Sequence, residues 1–301
     1  MSTTDRIRLL ETFIRIVERG SISAAARDLN LSQASASRQL AQLEAQLNSA
    51  LIARSTHSLS LTEAGEQLLP RARDLIARWS ALDDLADTDG PLTGSIRVVA
   101  PVALGQTILL PALTDFQKDH PHLRVTWRLE DQTIRFAEEG CDVWINIGHP
   151  PDENLISREV TQVRRVVVAA PSVKSVTSPQ QLIDRPCVSL GPFEGTQLPL
   201  TGPSGRTVRL SLTARLATNS IMVSHAAAKA GLGFAVLPEW LIQEDLKTGT
   251  LVNLLPEWIA PSLPITINYA PASRQLRRLI AFRAAMEDAI QNAIGADDPE
   301  S

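Results

Sequence analysis

The spacing of apolar residues changes near residue 90, and this change constrains the fold more than any other feature of the sequence. Up to that point, apolar residues recur at intervals of three and four, which is the period of α-helices. Beyond it, short apolar runs typical of buried strands alternate with helical patterns, which predicts largely parallel sheets covered by helices. A chain of 301 residues also exceeds what one hydrophobic core usually serves. We therefore predict a helical N-terminal unit followed by an α/β region.

The composition excludes several other classes of protein. With 44% apolar and 21% charged residues, the chain is neither disordered nor collagen-like. No apolar run is long enough to span a membrane, and charges in the first apolar segment argue against a signal peptide. Cys141 and Cys187 are far apart and outside any Cys/His cluster, which argues against a zinc site or a disulfide framework. We expect a cytoplasmic protein with no membrane contact, no metal and no cofactor.

The first sixty residues have the pattern of a helix-turn-helix. A helical spacing over 5–18 ends at Gly20, and Ser23 is a good N-cap for a short second helix that reaches Leu29. A turn at 30–31 follows, and Ser32 caps a third helix that runs to about Leu47. Two helices joined by a tight turn, the second one longer, are typical of DNA-binding domains.

The third helix divides into an apolar and a polar face. At 100° per residue, its core stripe consists of Ala36, Leu40, Leu43 and Leu47. Arg38 lies opposite that stripe, and polar or small residues flank it. Arginine binds guanine, glutamine binds adenine, and small residues approach thymine methyl groups, so this face suits a DNA groove. The alternative is the solvated face of an ordinary helical bundle.

Charge alone does not decide between these alternatives. The net charge is −4, which speaks against nucleic acid as a partner. Residues 1–62 carry seven arginines against five acidic residues, whereas residues 63–90 carry three arginines against seven acidic residues. The positive excess of the first segment is small, so the argument for DNA binding rests on the sequence pattern.

Several short motifs occur in order and at fixed separations over this segment. Together they resemble the N-terminal domain of the LysR-type transcriptional regulators. The motifs are Leu10-Glu11-Thr12-Phe13, Gly20-Ser21-Ile22-Ser23-Ala24-Ala25-Ala26, Leu31-Ser32-Gln33-Ala34-Ser35-Ala36-Ser37-Arg38-Gln39-Leu40, Leu43-Glu44 and Leu61-Thr62-Glu63-Ala64-Gly65. Two positions depart from the family pattern: Asn48 stands where Gly is usual, and Leu51-Ile52 where Leu-Phe is usual.

The resemblance implies a winged helix-turn-helix over residues 1–62 that binds double-stranded DNA. It places a set of DNA-contacting residues on the third helix and in the wing. We take these to be Ser32, Gln33, Ser35, Ser37, Arg38, Gln39 and Arg54. RNA polymerase is a further partner that we expect for such a regulator.

Residues 63–90 are predicted to form a linker helix that pairs two chains. Thr62 is its expected N-cap, and apolar residues follow at alternating steps of four and three, the period of a coiled coil. These seam residues are Leu68, Ala72, Leu75, Trp79, Leu82 and Ala86. The alternative is a long helix that packs on its own effector domain. The seam predicts a homodimer or homotetramer on a partly palindromic operator.

Residues 91–301 are predicted to form a ligand-sensing domain. Strands are expected at 95–100, 123–129, 143–147, 165–170, 233–237 and 265–269. Asn219 is expected to cap a helix that reaches Ala230, and a final helix is expected at 274–293. The pattern is similar to the effector domain of LysR-type regulators, which has the fold of a periplasmic binding protein. The resemblance implies subdomain I at about 94–165 plus 266–295, and subdomain II at about 166–265, with crossings near 163–167 and 263–267.

Ligands of open α/β sheets bind beyond the carboxyl ends of strands. This rule selects a set of effector-binding residues, to which the analogy with the family adds Phe234 as an apolar wall of the cleft. They are Pro101, Val102, Gln106, Thr107, Asn146, Thr218, Asn219 and Phe234. Capping and turn formation are the alternative for each residue taken singly. Close relatives often have Arg where Asn146 stands, and Ser or Thr where Val102-Ala103 stand, so a carboxylate effector is less strongly indicated here.

Two other functional classes compete with a regulator. An enzyme would need a recognisable catalytic motif, and the chain has no GxSxG, HExxH, P-loop or metal-spaced His/Cys set. Gly231-Leu232-Gly233 follows a helix and precedes a strand, the reverse of a dinucleotide-binding loop. The first domain and the missing signal peptide oppose a transport-type solute-binding protein. We therefore predict a DNA-binding regulator in which a small-molecule effector shifts the two subdomains and changes how DNA is held.

Overall fold

The computed structural model of the chain describes residues 3–54, 59–86, 90–136, 139–150, 154–191 and 197–295. Within these ranges, the side chains of residues 3–5, 54, 80–86 and 204 lie outside the description. No helix of the described ranges is long and apolar enough to cross a membrane. In the same ranges, no group of three or more His, Cys, Asp or Glu side chains is placed to hold a metal ion.

The N-terminal unit, hereafter the head, is a three-helix cluster with a two-stranded wing. Its elements are α1 (Thr3–Arg19), α2 (Ile22–Asp28), α3 (Gln33–Leu47), β1 (Ile52–Arg54) and β2 (Leu59–Leu61). The core combines apolar residues of α1 and α3, among them Phe13, Ile16 and Leu40, each fully buried. Burial of such side chains contributes about 1.5–3 kcal/mol each relative to exposure. The predicted helix-turn-helix is therefore present.

Two details of the head differ from the sequence prediction. The N-cap of α2 is Ser21, whose hydroxyl accepts from the amide of Ala24 at 3.4 Å, so the assignment of Ser23 as the cap is wrong. Leu47 is 45% exposed, although the other three stripe residues are buried. The last turn of α3 extends past the core, and the helix ends there because Asn48 adopts the left-handed conformation at φ 49°.

The wing is joined closely to the long helix α4 (Glu63–Ala86). Thr62 caps α4: its hydroxyl accepts from the amide of Gly65 at 3.1 Å and donates to the carbonyl of Ala50 at 2.6 Å. A Cβ at position 65 would lie 2.2 Å from the Leu51 carbonyl oxygen, so only glycine fits there. The wing tip at 55–58 lies outside the described residues.

Helix α4 contradicts part of the predicted seam. Ala72 is 2% exposed and packs in the head core with Leu69, and Leu68 and Ile76 pack against the same core. A residue buried inside its own chain is not available to a partner, so Ala72 does not belong to a seam. Leu75 and Trp79 remain exposed. The side chains of Leu82 and Ala86 lie outside the described residues.

Subdomain I follows α4 and opens with a parallel strand pair. Its elements are β3 (Gly94–Ala100), α5 (Val102–Leu104), a π-helical turn (Gly105–Leu109), α6 (Leu110–Asp119), β4 (Leu123–Leu129) and β5 (Val143–Ile147). The last helix of the chain, α9 (Arg277–Ile294), returns to this subdomain and buries Phe282, Met286 and Ile290 in its core.

Subdomain II lies between two long strands, β6 (Ile156–Ala169) and β13 (Ile259–Tyr269). Both begin earlier than predicted, by nine and six residues. Between them come β7 (Cys187–Leu190), β8 (Gln197–Thr201), β9 (Thr207–Ser211), β10 (Ala214–Thr218), α7 (Ile221–Lys229), β11 (Phe234–Pro238), α8 (Glu239–Thr248) and β12 (Val252–Asn253). The N-cap residue of α7 is Ser220, whose amide donates to the Thr218 hydroxyl at 3.1 Å, so the assignment of Asn219 is wrong.

The two long strands connect the subdomains. The sheet order along its main path is β10-β7-β11-β6-β13-β5-β3-β4, with β6 and β13 antiparallel at its centre. One end of β13 pairs with β5 of subdomain I, while one end of β6 pairs with β11 of subdomain II. Apolar clusters lie on either side of this crossing, one built on α9 and another around Val167 and Leu200. A cleft therefore forms where strand ends of both subdomains meet.

Candidate DNA-binding surface and effector cleft

The exposed start of α3 is held in place by its cap. The Ser32 hydroxyl accepts from the amide of Ser35 at 3.1 Å and lies 2.8 Å from the Ser35 hydroxyl. Gln33 is exposed in the first turn. A capped helix N-terminus presents unpaired amides and a partial positive charge, both of which favour a phosphate group. The end of α3 expected to enter a groove is thus rigid and accessible.

Arg38 lies on the exposed face of α3, opposite the core residues Ala36 and Leu40. Its guanidinium folds back on its own helix: Nε donates to the carbonyl of Ala34 at 3.3 Å, and Nη2 to the Ser35 hydroxyl at 3.4 Å. These contacts are long and exposed, so they cost little to exchange for a base edge. We call Ser32, Gln33, Ser35 and Arg38 the reading face.

Gln39 and Ser37 are less accessible than Arg38. The side-chain amide oxygen of Gln39 (Oε1) accepts from the hydroxyl of Thr12 at 2.5 Å, and Thr12 is buried. The Gln39 side chain is therefore engaged with α1, and Ser37 is half-buried. Direct contact between these residues and DNA stays a prediction. The side chain of Arg54 lies outside the described residues.

The only acidic residue of α3, Glu44, has a structural role. Its carboxylate accepts from the amides of Leu51 at 2.8 Å and Ile52 at 3.3 Å. These bonds connect α3 to the first strand of the wing. The carboxylate is consequently engaged with backbone donors of the wing.

The cleft between the subdomains is an open space of about 700 Å³, including the solvent at its mouth. Residues just beyond the carboxyl ends of β3, β4 and β10, and residues within the carboxyl-terminal parts of β5 and β11, border it, in line with the rule for open α/β sheets. Most of the lining is apolar. Its residues are Pro101, Ala103, Leu104, Glu130, Asp131, Asn146, Ile147, Val163, Arg165, Leu190, Asn219, Ile221, Val236, Pro238, Trp240 and Leu263.

Three of the eight predicted effector residues lie in this lining: Pro101, Asn146 and Asn219. Their contact with an effector stays a prediction. Gln106 and Thr107 are exposed outside the lining, and the Thr107 hydroxyl donates to the carbonyl of Ala103 at 2.8 Å. The amide of Val102 donates to the Asp131 carboxylate at 2.8 Å, and the Thr218 hydroxyl accepts from the amide of Ser220 at 3.1 Å. These four predicted residues do not border the cleft.

Phe234 is the clearest error among the predicted effector residues. Its side chain is fully buried in the core of subdomain II, together with Val167 and Leu200, and does not form a wall of the cleft. The strand that carries it does reach the cleft, but through Val236 and Pro238. Phe234, Val236 and Pro238 share one face of β11, so their position along the strand separates them: Phe234 begins the strand in the core, and the cleft is reached only toward its carboxyl end.

The charged residues of the cleft were not among the residues predicted from the sequence. Glu130 and Asp131 directly follow β4, so the strand-end rule would have selected them. Asp131 accepts from the amide of Val102 at 2.8 Å, and burial raises the pKa of its carboxyl group. Arg165 lies within β6 and donates from Nε to the carbonyl of Pro261 at 3.0 Å. No local signal marks Arg165 or Trp240, because pairing of distant strands brings them to the cleft.

A winged helix-turn-helix joined by a long helix to a two-lobed cleft domain defines a ligand-responsive DNA-binding protein. Comparison with known proteins places the chain within that class. The family profile for the LysR substrate binding domain matches residues 89–291. The profile for the bacterial regulatory helix-turn-helix protein, lysR family, matches residues 7–66. The chain belongs to the LysR family of transcriptional regulators, and it is not an enzyme.

Named relatives and solved structures agree with this assignment. The chain is 30% identical to the regulator YhjC of Escherichia coli, over 92% of this chain and 94% of the relative. It is 25% identical to the Vibrio cholerae virulence activator AphB, whose full-length structure superposes with a TM-score of 0.60 over 95% of this chain and 98% of that chain. The Corynebacterium glutamicum regulator LysG, solved with bound effector Arg, shares the fold at 21% identity, with a TM-score of 0.67 over 96% and 99% of the two chains.

Proposed function

We propose that the chain forms a homodimer or homotetramer that places α3 of each head in the major groove of a partly palindromic operator, under control of a small molecule in the cleft. The observation that carries the DNA-binding part is the reading face: a capped, exposed helix start and an exposed arginine on a head whose opposite face is a closed core. RNA polymerase is a further partner in this proposal. The protein acts in the cytoplasm, where the DNA is. No cofactor is required.

Selection of genomic fragments by the purified protein tests this function. The expected result is enrichment of fragments that contain two related half-sites one helical turn, or a multiple of it, apart. Bulk competitor DNA at moderate salt removes contacts made only with phosphates. If no fragment is enriched over the competitor, with or without a metabolite pool, the proposal is wrong.

The charges of the cleft support an effector with an apolar body and an amino group. Two carboxylates, Glu130 and Asp131, border the space against one guanidinium, that of Arg165. The guanidinium already donates to the carbonyl of Pro261. A carboxylate brought by a ligand would be repelled by the acidic pair, whereas an ammonium group would be attracted by it. Electrostatic interactions of this kind strengthen in an apolar cleft.

Matched amine and acid probes test the chemistry of the effector. In a thermal-shift assay, 1-hexylamine is expected to raise the melting temperature more than hexanoate does, because only the amine complements the acidic pair. Asp131→Asn is expected to reduce the difference between the two probes. A larger shift with hexanoate, or equal shifts with both, would contradict the proposed ligand class.

The oligomer is proposed to use the exposed side of α4. Leu75 and Trp79 are four residues apart, so they share one helix face, and they are 48% and 40% exposed in the single chain. Leu75→Asp is expected to weaken the oligomer, because the new carboxylate would be buried without a partner. Sedimentation velocity measures this directly. Asp74→Asn, which changes a half-buried residue next to Leu75, is the control, and an unchanged oligomer in Leu75→Asp would exclude this face.

A further inference from the structure

The head and subdomain I are joined by a compact group of charged side chains from four parts of the chain. Glu18 comes from the last turn of α1, Arg73 from α4, Arg97 from β3, and Asp142 from the residue before β5. All four are largely buried, with side-chain exposures of 7%, 17%, 27% and 24% in that order. We call this group the junction.

Arg97 is the centre of the junction. Nε and Nη2 donate to the two carboxylate oxygens of Asp142 at 3.2 and 3.1 Å, and Nη1 donates to Glu18 of the head. Burial works against the charge of Arg97, but the ion pairs with Asp142 and Glu18 outweigh it and raise the pKa of the guanidinium. One side chain thus binds both domains at once, which the planar five-donor group of arginine allows.

The junction is closely packed. Arg73 donates from Nη2 to the same oxygen of Glu18 at 3.3 Å, so one carboxylate oxygen receives two guanidinium groups. Nη1 of Arg15, in the head, lies 3.2 Å from the other oxygen. A Cβ at Gly140, where φ is +67°, would lie 2.8 Å from the first of these oxygens. The backbone of subdomain I therefore lies close to the Glu18 carboxylate, at a position where a side chain would not fit.

The same two strands that hold the head also border the cleft. β3 carries Arg97 and ends next to Pro101, and β5 begins after Asp142 and carries Asn146. The strands are parallel neighbours, with Val98 paired to Val143. From Arg97 to Pro101, and likewise from Asp142 to Asn146, the chain advances by four residues, about 13 Å of extended strand. A sheet is stiff along its strands, so a displacement at the cleft end moves the junction end.

We infer that the Glu18–Arg97 contact is the point at which the state of the effector cleft is transmitted to the DNA-binding head. This inference rests on the proposed function and names the route of its regulation. Coupling between two sites is reciprocal, so binding of DNA to the head must also change the cleft through the same contact. This reciprocity makes the inference testable before the effector is known.

Glu18→Gln is the informative variant. It removes the negative charge that the head contributes to the junction, while Arg97 keeps its bonds to Asp142. Asp28→Asn is the matched control: it removes one carboxylate from the same head and breaks an ion pair with Arg19 inside that head. Neither residue belongs to the reading face or to the cleft. Arg97→Lys is a second variant, since one ammonium group cannot keep both the paired bonds to Asp142 and the bond to Glu18.

Hydrogen exchange measured by mass spectrometry, with and without DNA, provides the readout. The probe is a labelled mixed-sequence duplex of about 30 base pairs at low salt, and fluorescence anisotropy confirms that the head is saturated. In the wild type and Asp28→Asn, DNA is expected to change deuterium uptake in the cleft segments 100–105 and 145–149. In Glu18→Gln and Arg97→Lys, this change is expected to fall by at least half, although DNA still binds.

A purely structural role for the junction predicts a different result. In that case the variants have lower melting temperatures but show the same DNA-induced change in the cleft as the wild type, and the inference is overturned. Absence of the change in the wild type, with normal anisotropy, also overturns it. Failure of the wild type to bind the duplex at all would instead refute the proposed function, and anisotropy distinguishes that result from the others.

Discussion

The reading face and the cleft differ in polarity, in exposure and in how many chain segments build them. The reading face is polar, exposed and carried by one helix, so its groups are available to a large partner that brings its own charge. The cleft is mostly apolar and is assembled from strand ends in two subdomains, with a few charged groups at its border. In the first case many groups each contribute a little. In the second, the few polar groups of a mostly apolar lining each contribute strongly.

The difference extends to how each region tolerates substitution. Apart from Ser32, which caps α3, residues of the reading face make few contacts inside the chain, so changing them is expected to alter binding and leave folding intact. Residues near the cleft belong to, or adjoin, the cores of the two subdomains. A change there is expected to alter stability first. Three substitutions test this contrast.

Phe234→Ala has the largest expected effect. The side chain is fully buried in the core of subdomain II, so its removal is expected to lower the free energy of unfolding by about 3–5 kcal/mol. Urea denaturation measures the loss. Phe234→Leu, which keeps most of the volume, is the control and is expected to cost less than about 1.5 kcal/mol. A loss below about 1 kcal/mol for the alanine variant would mean that the residue is a cleft wall after all.

Arg38→Ala is expected to act on binding alone. Loss of the guanidinium should lower specific affinity for the operator by about 1–3 kcal/mol, with an unchanged melting temperature. Gel-shift titration on a selected fragment measures the affinity. Arg27→Ala removes an exposed arginine from α2 and should change affinity much less. Equal effects of the two substitutions would show that α3 contributes only net charge.

Asn48→Ala has the smallest expected effect. Asn48 ends α3 in the left-handed conformation, which costs a residue with an ordinary side chain about 1–2 kcal/mol. Alanine should therefore lower stability by about 1 kcal/mol, whereas glycine, the usual family residue, should not lower it. Thermal unfolding of the two variants measures the difference. An Asn48→Gly protein less stable than Asn48→Ala would contradict the assignment of this turn.

Features that depend on near neighbours in sequence were predicted well. The caps at Ser32 and Thr62, the end of α1 at Gly20 and the buried stripe of Ala36, Leu40 and Leu43 follow from helix periodicity. The seam prediction went wrong at Ala72 for a physical reason. Leu69, Ala72 and Ile76 fit the same period on an adjacent face of α4, and periodicity does not state which partner a face will meet.

Features that depend on the meeting of distant segments were predicted poorly. Arg165 borders the cleft because β6 pairs with both β11 and β13, and Trp240 reaches it from α8. The sequence contains no short-range trace of these pairings. The strand-end rule found Pro101, Asn146 and Asn219 because it encodes topology, and consistent use of the rule would have added Glu130 and Asp131.

The close approach of Gly65 to the Leu51 carbonyl affects how the head can move. Together with the Thr62 cap, it fastens the wing to the first turn of α4, while Glu44 fastens α3 to the wing. These parts consequently turn together as one lever when α4 tilts. In the oligomer that we propose, we expect such a tilt to change the distance and twist between two occupied half-sites and to leave the bases under each α3 the same. We therefore expect regulation to act on the curvature of the bound duplex and not on its base sequence.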